Sequence, residues 1–136
     1  MATFTHFQPF VENLAEGVFN LSNTLTIALT LTAPEATMGI LSQLSQISYT
    51  NLSSRLLPPS TSLQTSGTYK LINTTNTMTA TGTVGAFRYI VLYDDYAVND
   101  ELVGYYDYGS SLTLADGDAF AVNLSEDSGL LTIAPA

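Results

Sequence analysis

Residues 24–32, TLTIALTLT, set threonine against Leu25, Ile27, Leu29 and Leu31 at a period of two, with Ala28 the exception on the threonine side. Successive side chains of a strand point to opposite faces. This period therefore predicts a β-strand with one face in a core and the other rich in hydroxyls. Ala33-Pro34 ends it, because proline cannot donate to a sheet ladder.

The pattern continues along the chain. SLQTS (62–66) meets Gly67, and TYKLI (68–72) follows. TMTAT (77–81) lies between Asn76 and Gly82. FRYIVLY (87–93) is a near-continuous apolar run and predicts a central strand, with ELVGYYDY (101–108) as its partner. AFAVNL (119–124) and LLTIA (130–134) close the chain, and the SEDSG between them predicts a hairpin. Short strands at regular spacing predict an all-β fold, mainly an antiparallel sandwich or barrel. The charged fraction, 11%, agrees. It is well below the ~25% of typical soluble domains, and Thr and Ser supply the polarity in its place.

Before the first strand, QPFVENLAEGVF (8–19) has helical spacing, with Val11, Leu14, Ala15 and Val18 on one face. Pro9 suits a first helical turn, and Gly17 weakens the last. The expected organisation is an N-terminal arm and short helix over residues 1–23, then a single β-rich domain over 24–136. Within that domain Ile40, Leu44 and Ile47 predict a second short helix in 38–49. Leu57-Pro58-Pro59 marks an extended or edge segment.

Charge excludes several functions. The net charge is −9, and Arg55, Lys70 and Arg88 are the only fixed cations. No basic stripe exists to neutralise phosphates, so neither nucleic acid nor an anionic membrane surface is an expected partner. Acidity instead suits solubility or docking on a basic partner. Without cysteine, disulfides, thiolate metal sites and thiol nucleophiles are all out. The start MATFTHFQPF does not read as a signal peptide, and no apolar run approaches the ~18 residues of a membrane span. Synthesis in the cytoplasm is expected, so the sequons at Asn20, Asn51, Asn73 and Asn123 read as accidents of composition.

The densest stretch is FRYIVLYDDYAVNDELVGYYDYGSS (87–111), which holds six of the eight tyrosines. Tyrosines across a strand pair are ordinary sheet stabilisers. Asp94, Asp95, Asp100, Glu101 and Asp107 raise the question of calcium, which takes six to eight oxygens, but no EF-hand spacing is present. Asp116 and Asp118 flank Gly117 in a turn signal. Asp107 with Tyr105 or Arg88 is a candidate buried network. A hydrolase triad needs a base held by a third group, and the lone His6, in the arm, is a poor one. Nucleophile-elbow, P-loop and dinucleotide motifs are absent. The chain reads as non-enzymatic, with no cofactor and no metal.

Several segments together resemble small structural proteins of tailed-bacteriophage virions, of the capsid decoration (cement) type. FQPFVENLAEGVFNL followed by TLTIALTLTAP is similar to their start, and LQTSGTYKL to their middle. GAFRYIVLYDDYAVNDELVGYYDYGSSLTLADGDAFAVNL is similar to their aromatic strand, acidic loop, Gly-Tyr-aromatic-Asp-Tyr/Phe-Gly-Ser-Ser and closing hairpin, and GLLTIAPA to their end. The resemblance is weakest over 38–60, and Phe19 stands where a polar residue is usual. It implies a non-enzymatic protein that binds the outer surface of the major capsid protein shell and stabilises it against internal DNA pressure. Such a protein localises to the virion, as a closed homo-oligomer, dimer or trimer. Phe4, Phe7, Phe10 and Val11 are the candidate docking anchors, through ordering or strand addition of the arm. Their alternative role is packing on their own domain. Two other functions stay open: a tail structural protein, and a virion-displayed carbohydrate- or host-binding module using Tyr96, Tyr105 or Tyr106.

Overall fold

β-Branched and aromatic residues suit a pleated surface with a buried face, and the strands Leu25–Thr30, Val84–Asp94 and the first half of Leu102–Leu114 bury theirs in the interior. The computed structural model describes residues 3–58, 61–124 and 130–134. In chain order the elements are β1 (Thr5–His6), α1 (Gln8–Ala15), β2 (Leu25–Thr30), β3 (Thr61–Thr65), β4 (Thr68–Ile72), β5 (Asn76–Thr79), β6 (Val84–Asp94), β7 (Leu102–Leu114), β8 (Ala119–Val122) and β9 (Leu131–Ile133). They form a four-stranded sheet ordered β1-β7-β6-β2, a three-stranded sheet β3-β4-β9 and a pair β5-β8. Every pairing is antiparallel. Ile27, Leu71, Met78, Val91, Leu102, Val122 and Phe10 belong to one core cluster, so the sheets and the helix share an interior. The fold is all-β with a short helix.

The β6–β7 hairpin is its spine. Ile90 pairs with Tyr106, Val91 with Tyr105 and Leu92 with Gly104. Between the pairs Phe87↔Leu112 and Tyr89↔Asp107 the register shifts, with Tyr108 to Ser111 taken up by β7. Gly109 sits there at φ 95°, a value that favours glycine. A hydrogen bond from its amide to Asp107 Oδ1, 2.8 Å, closes the irregularity.

The structure corrects or adds to these expectations at five places. The helix ends at Ala15, because Gly17 closes it instead of lying inside it. The Val18 amide donates to Asn13 O and the Gly17 amide to Leu14 O, with Gly17 at φ 79°, the bonding of a Schellman motif. The arm, read from sequence as a loose segment before the helix, is a paired strand: Thr5 pairs with Tyr105 and His6 with Gly104. Residues 38–49 hold only a single 3-10 turn, Leu41–Gln43. The polar face of β2 is also covered, with Thr26, Ala28 and Thr30 all buried. β8 and β9 do not form a hairpin: β8 pairs with β5 and β9 with β4. The SEDSG loop itself lies outside the described residues.

The covering of β2 has a local cause. The irregular segment after Ser45 runs along its outer edge. Ile47 and Leu57 amides donate to Leu29 O and Leu25 O, and the Ile27 amide donates to Arg55 O. The Leu29 amide donates to the Tyr49 hydroxyl, 3.0 Å, and the Arg55 guanidinium donates to Ile27 O, 2.6 Å. Thr30 Oγ1 donates to Ser45 O, 2.7 Å. Low helix propensity in 38–58 is thus matched by a backbone that bonds to a strand edge.

Candidate functional site

Two regions carry the residues singled out from sequence: the N-terminal segment and the turn between β6 and β7.

In the N-terminal segment, Phe7 and Phe10 are buried, at 0% and 1% exposure. Phe7 lies against Tyr105, and Phe10 meets Phe19 edge-on at 5.0 Å. Phe4 is half-buried and packs on Tyr106, 4.9 Å between centroids. A Cβ built on Gly104 would lie 2.6 Å from both the Phe4 ring and Thr5 O. Gly104 therefore provides the recess into which β1 fits, the role of a strand glycine at a close backbone approach. Val11 stands apart from the other three, 65% exposed on the outer side of α1. The inward face of the helix runs through Phe7, Phe10 and Leu14, not through Val11 and Val18. Phe7 and Phe10 thus pack on their own domain and offer no surface in this fold. His6 is held rather than mobile, with its ring stacked on Phe10 at 5.3 Å and Nε2 2.7 Å from Leu130 O. Its ring faces Phe4 edge-on, and none of these partners is a nucleophile.

The turn is built differently. Asp94, fully buried, accepts from the Tyr96 amide at 3.0 Å and from the Asn23 side chain at 3.1 Å. Glu101, nearly buried, accepts from the Asn99 amide at 3.1 Å. The Asp94 amide donates to Glu101 O, and Asp100 O accepts from Leu41. These two carboxylates therefore fasten backbone rather than face a ligand. Asp100 adopts φ 54°, which the short polar side chain of Asp tolerates. Burial first, then the charges of Asp95 and Glu101, push the Asp100 carboxyl above its usual range. Among the described residues no group of three or more His, Cys, Asp or Glu is placed to hold a metal ion.

On this fastened backbone Tyr96 and Val98 stand in solvent, 70% and 93% exposed. The start of β2 (Leu25↔Asp94), the start of α1 (the Gln8 amide on Ala36 O) and Gly39 (its carbonyl on the Leu102 amide) meet at this same end of the hairpin. Asp95, next to Tyr96 in the turn, is exposed as well. Of the tyrosines considered for sugar stacking, only Tyr96 is exposed. Tyr106 is buried, and Tyr105 is half-buried between Phe7 and Tyr89.

Arg88 and Asp107 do pair, with Nε–Oδ1 at 2.8 Å and Nη2–Oδ2 at 3.0 Å. The pair is about 40% exposed, 39% and 42%, and so is a surface clasp rather than a buried network. The Arg88 guanidinium, then the Gly109 amide, hold the Asp107 carboxyl below its usual range. No helix among the described residues is long and apolar enough to cross a membrane.

No family model matches the chain, and neither a curated protein nor a solved structure matches it.

Of the exposed tip, Tyr96 was named from sequence as a surface aromatic, and Val98 was not. The available signal was Val98, an apolar residue amid turn-forming polar ones, with no strand period to bury it.

Proposed function

We propose that this chain is a non-catalytic virion protein of the capsid cement type, docking on the major capsid protein through the β6–β7 turn. The resemblance of its sequence to phage structural proteins supports the class. One observation carries the docking surface: Tyr96 and Val98 are exposed on a turn whose backbone is bonded on both sides. A rigid aromatic anchor loses little conformational freedom on binding. The acidic surround, with Asp95 exposed beside Tyr96, favours a basic partner surface and faster encounter with it. Burial on the order of 1,200–2,000 Å² in total, repeated over many copies of a closed oligomer, would resist expansion of the shell.

The test mixes the purified protein with expanded, undecorated phage capsids and images the particles by electron microscopy. Regular density at capsid symmetry positions, lost or weakened at least about tenfold in the variant Tyr96→Ser/Val98→Ser, is the expected result. Full decoration by that variant would remove the turn as the docking surface. Bare capsids with the unaltered protein would overturn the cement reading in favour of a tail or host-recognition role.

A further inference from the structure

Segment 49–57 is fastened on two sides. On one side lie its bonds to β2. On the other, the Ser53 amide donates to Thr79 O, the Thr81 amide donates to Asn51 O, and Leu52 bridges Ala80. Between this strap and the β2–β6 face lies an open cleft of about 450 Å³, lined among others by Thr26, Tyr49, Ser53, Arg55, Tyr93 and Asp95. This is within the size range of small-molecule sites, roughly 300–1,000 Å³.

The polar groups of the cleft are placed before any ligand arrives. The Arg55 guanidinium lies 3.7 Å over the centre of the Tyr49 ring, and Nη1 donates to Ile27 O. Stacking and hydrogen bond together fix its plane. Its other N–H donors have no partner among the described residues. The Tyr49 hydroxyl accepts from the Leu29 amide and donates to Gln46, so it is also immobile. Ser53 Oγ accepts from the Thr79 amide at 2.8 Å, which leaves its own proton to donate. Thr26 is 7% exposed, and its Oγ1 is buried without a hydrogen-bond partner among the described residues. Asp95 is exposed and lines the same cleft as Arg55, but the two form no ion pair.

A cation and a carboxylate lining one cleft without pairing select against net charge in a ligand. An anion would pair with Arg55 but meet Asp95, and a cation would pair with Asp95 but meet Arg55. A hydroxyl group both donates and accepts, so neighbouring hydroxyls can satisfy Arg55 and Asp95 together. We propose that this cleft binds a neutral polyhydroxylated ligand, a carbohydrate unit, with hydroxyls bridging Arg55 and Asp95 and reaching toward Ser53. Asp95 also belongs to the acidic surround of the β6–β7 docking tip, but the cleft uses neither Tyr96 nor Val98.

The chain has two arginines, Arg55 and Arg88, so the Nε–Hε region of a nitrogen–proton NMR spectrum should hold two resonances that report separately on the cleft and the clasp. Glucose, galactose, mannose and N-acetylglucosamine are titrated into the millimolar range, with glucuronate and glucosamine as charged counterparts. The expected result is a saturable shift of the Arg55 resonance with at least one neutral sugar, while Arg88 stays still. Asp95→Asn, at an exposed position, should keep the folded spectrum and weaken binding about tenfold, a loss of about 1.4 kcal/mol. Three results would overturn the proposal: no saturable shift with any neutral sugar, tighter binding of a charged counterpart, or unchanged affinity in Asp95→Asn.

Discussion

The N-terminal segment and the β6–β7 turn both read as peripheral in sequence, and they end in opposite environments. The N-terminal segment is rich in phenylalanine and spends it inward. The turn has one tyrosine and one valine at its tip and shows both to solvent. The difference lies in what each meets. β1 finds a recess at Gly104, so Phe4 and Phe7 can reach the sheet. The turn lies beyond the sheet end, where its carboxylates secure the backbone and no described residue covers the tip. Aromatic content alone therefore does not mark a binding surface. The backbone against which it lies decides whether it is core or contact.

Breaking the buried side of this contrast should cost most. Phe10→Ala removes a fully buried ring packed on His6 and Phe19, and should destabilise by about 3–5 kcal/mol. Urea unfolding measures this, and a loss below about 1 kcal/mol would mean that the segment packs less firmly than described. Gly104→Ala should cost about 1–3 kcal/mol by forcing a methyl into the Phe4 ring and Thr5 carbonyl. Hydrogen exchange should then quicken at the residue 5–7 amides before the β6–β2 ladder is affected, and uniform loss of protection would argue against a local recess.

The turn should respond more weakly and with a distinctive pH dependence. The folded-state pKa of Asp100 is raised, so its ionised form opposes folding. That cost is absent below the ordinary carboxylate range and complete above the raised value. Asp100→Asn should therefore stabilise at neutral pH, by at most about 0.5 kcal/mol after solvent screening, with no gain in acid. Asp107 has the opposite sign. Its lowered pKa contributes stability above the unfolded value, which is lost as pH falls through the folded one. Asp107→Asn should lower Tm at neutral pH, and the deficit should shrink in acid. Equal pH profiles for the two variants would contradict this opposition.

Much of the sheet architecture was legible, because period-two alternation and apolar runs report directly on strands. The central pairing of 87–93 with 101–108 follows from two apolar runs around a polar turn. Partner choice for the short terminal strands was not legible. Five turn-forming residues between 119–124 and 130–134 suggest a hairpin, yet pairing with β5 and β4 wins, and no local signal distinguishes these. The helix face was misread because Val11 and Val18 keep helical spacing, while Phe7 and Phe10 fit the same period and are larger. The cleft was invisible because Arg55, Tyr93 and Asp95 come together only through the strap along β2.

That strap also bears on how the molecule behaves when crowded. A bare strand edge is a template on which another chain can grow by pairing. At Leu25, Ile27 and Leu29 the outward carbonyls are already taken by the Leu57 amide, the Arg55 guanidinium and the Ile47 amide. Copies of this protein can therefore be concentrated side by side without polymerising through β2, and its order can survive at densities where an open edge would seed fibres.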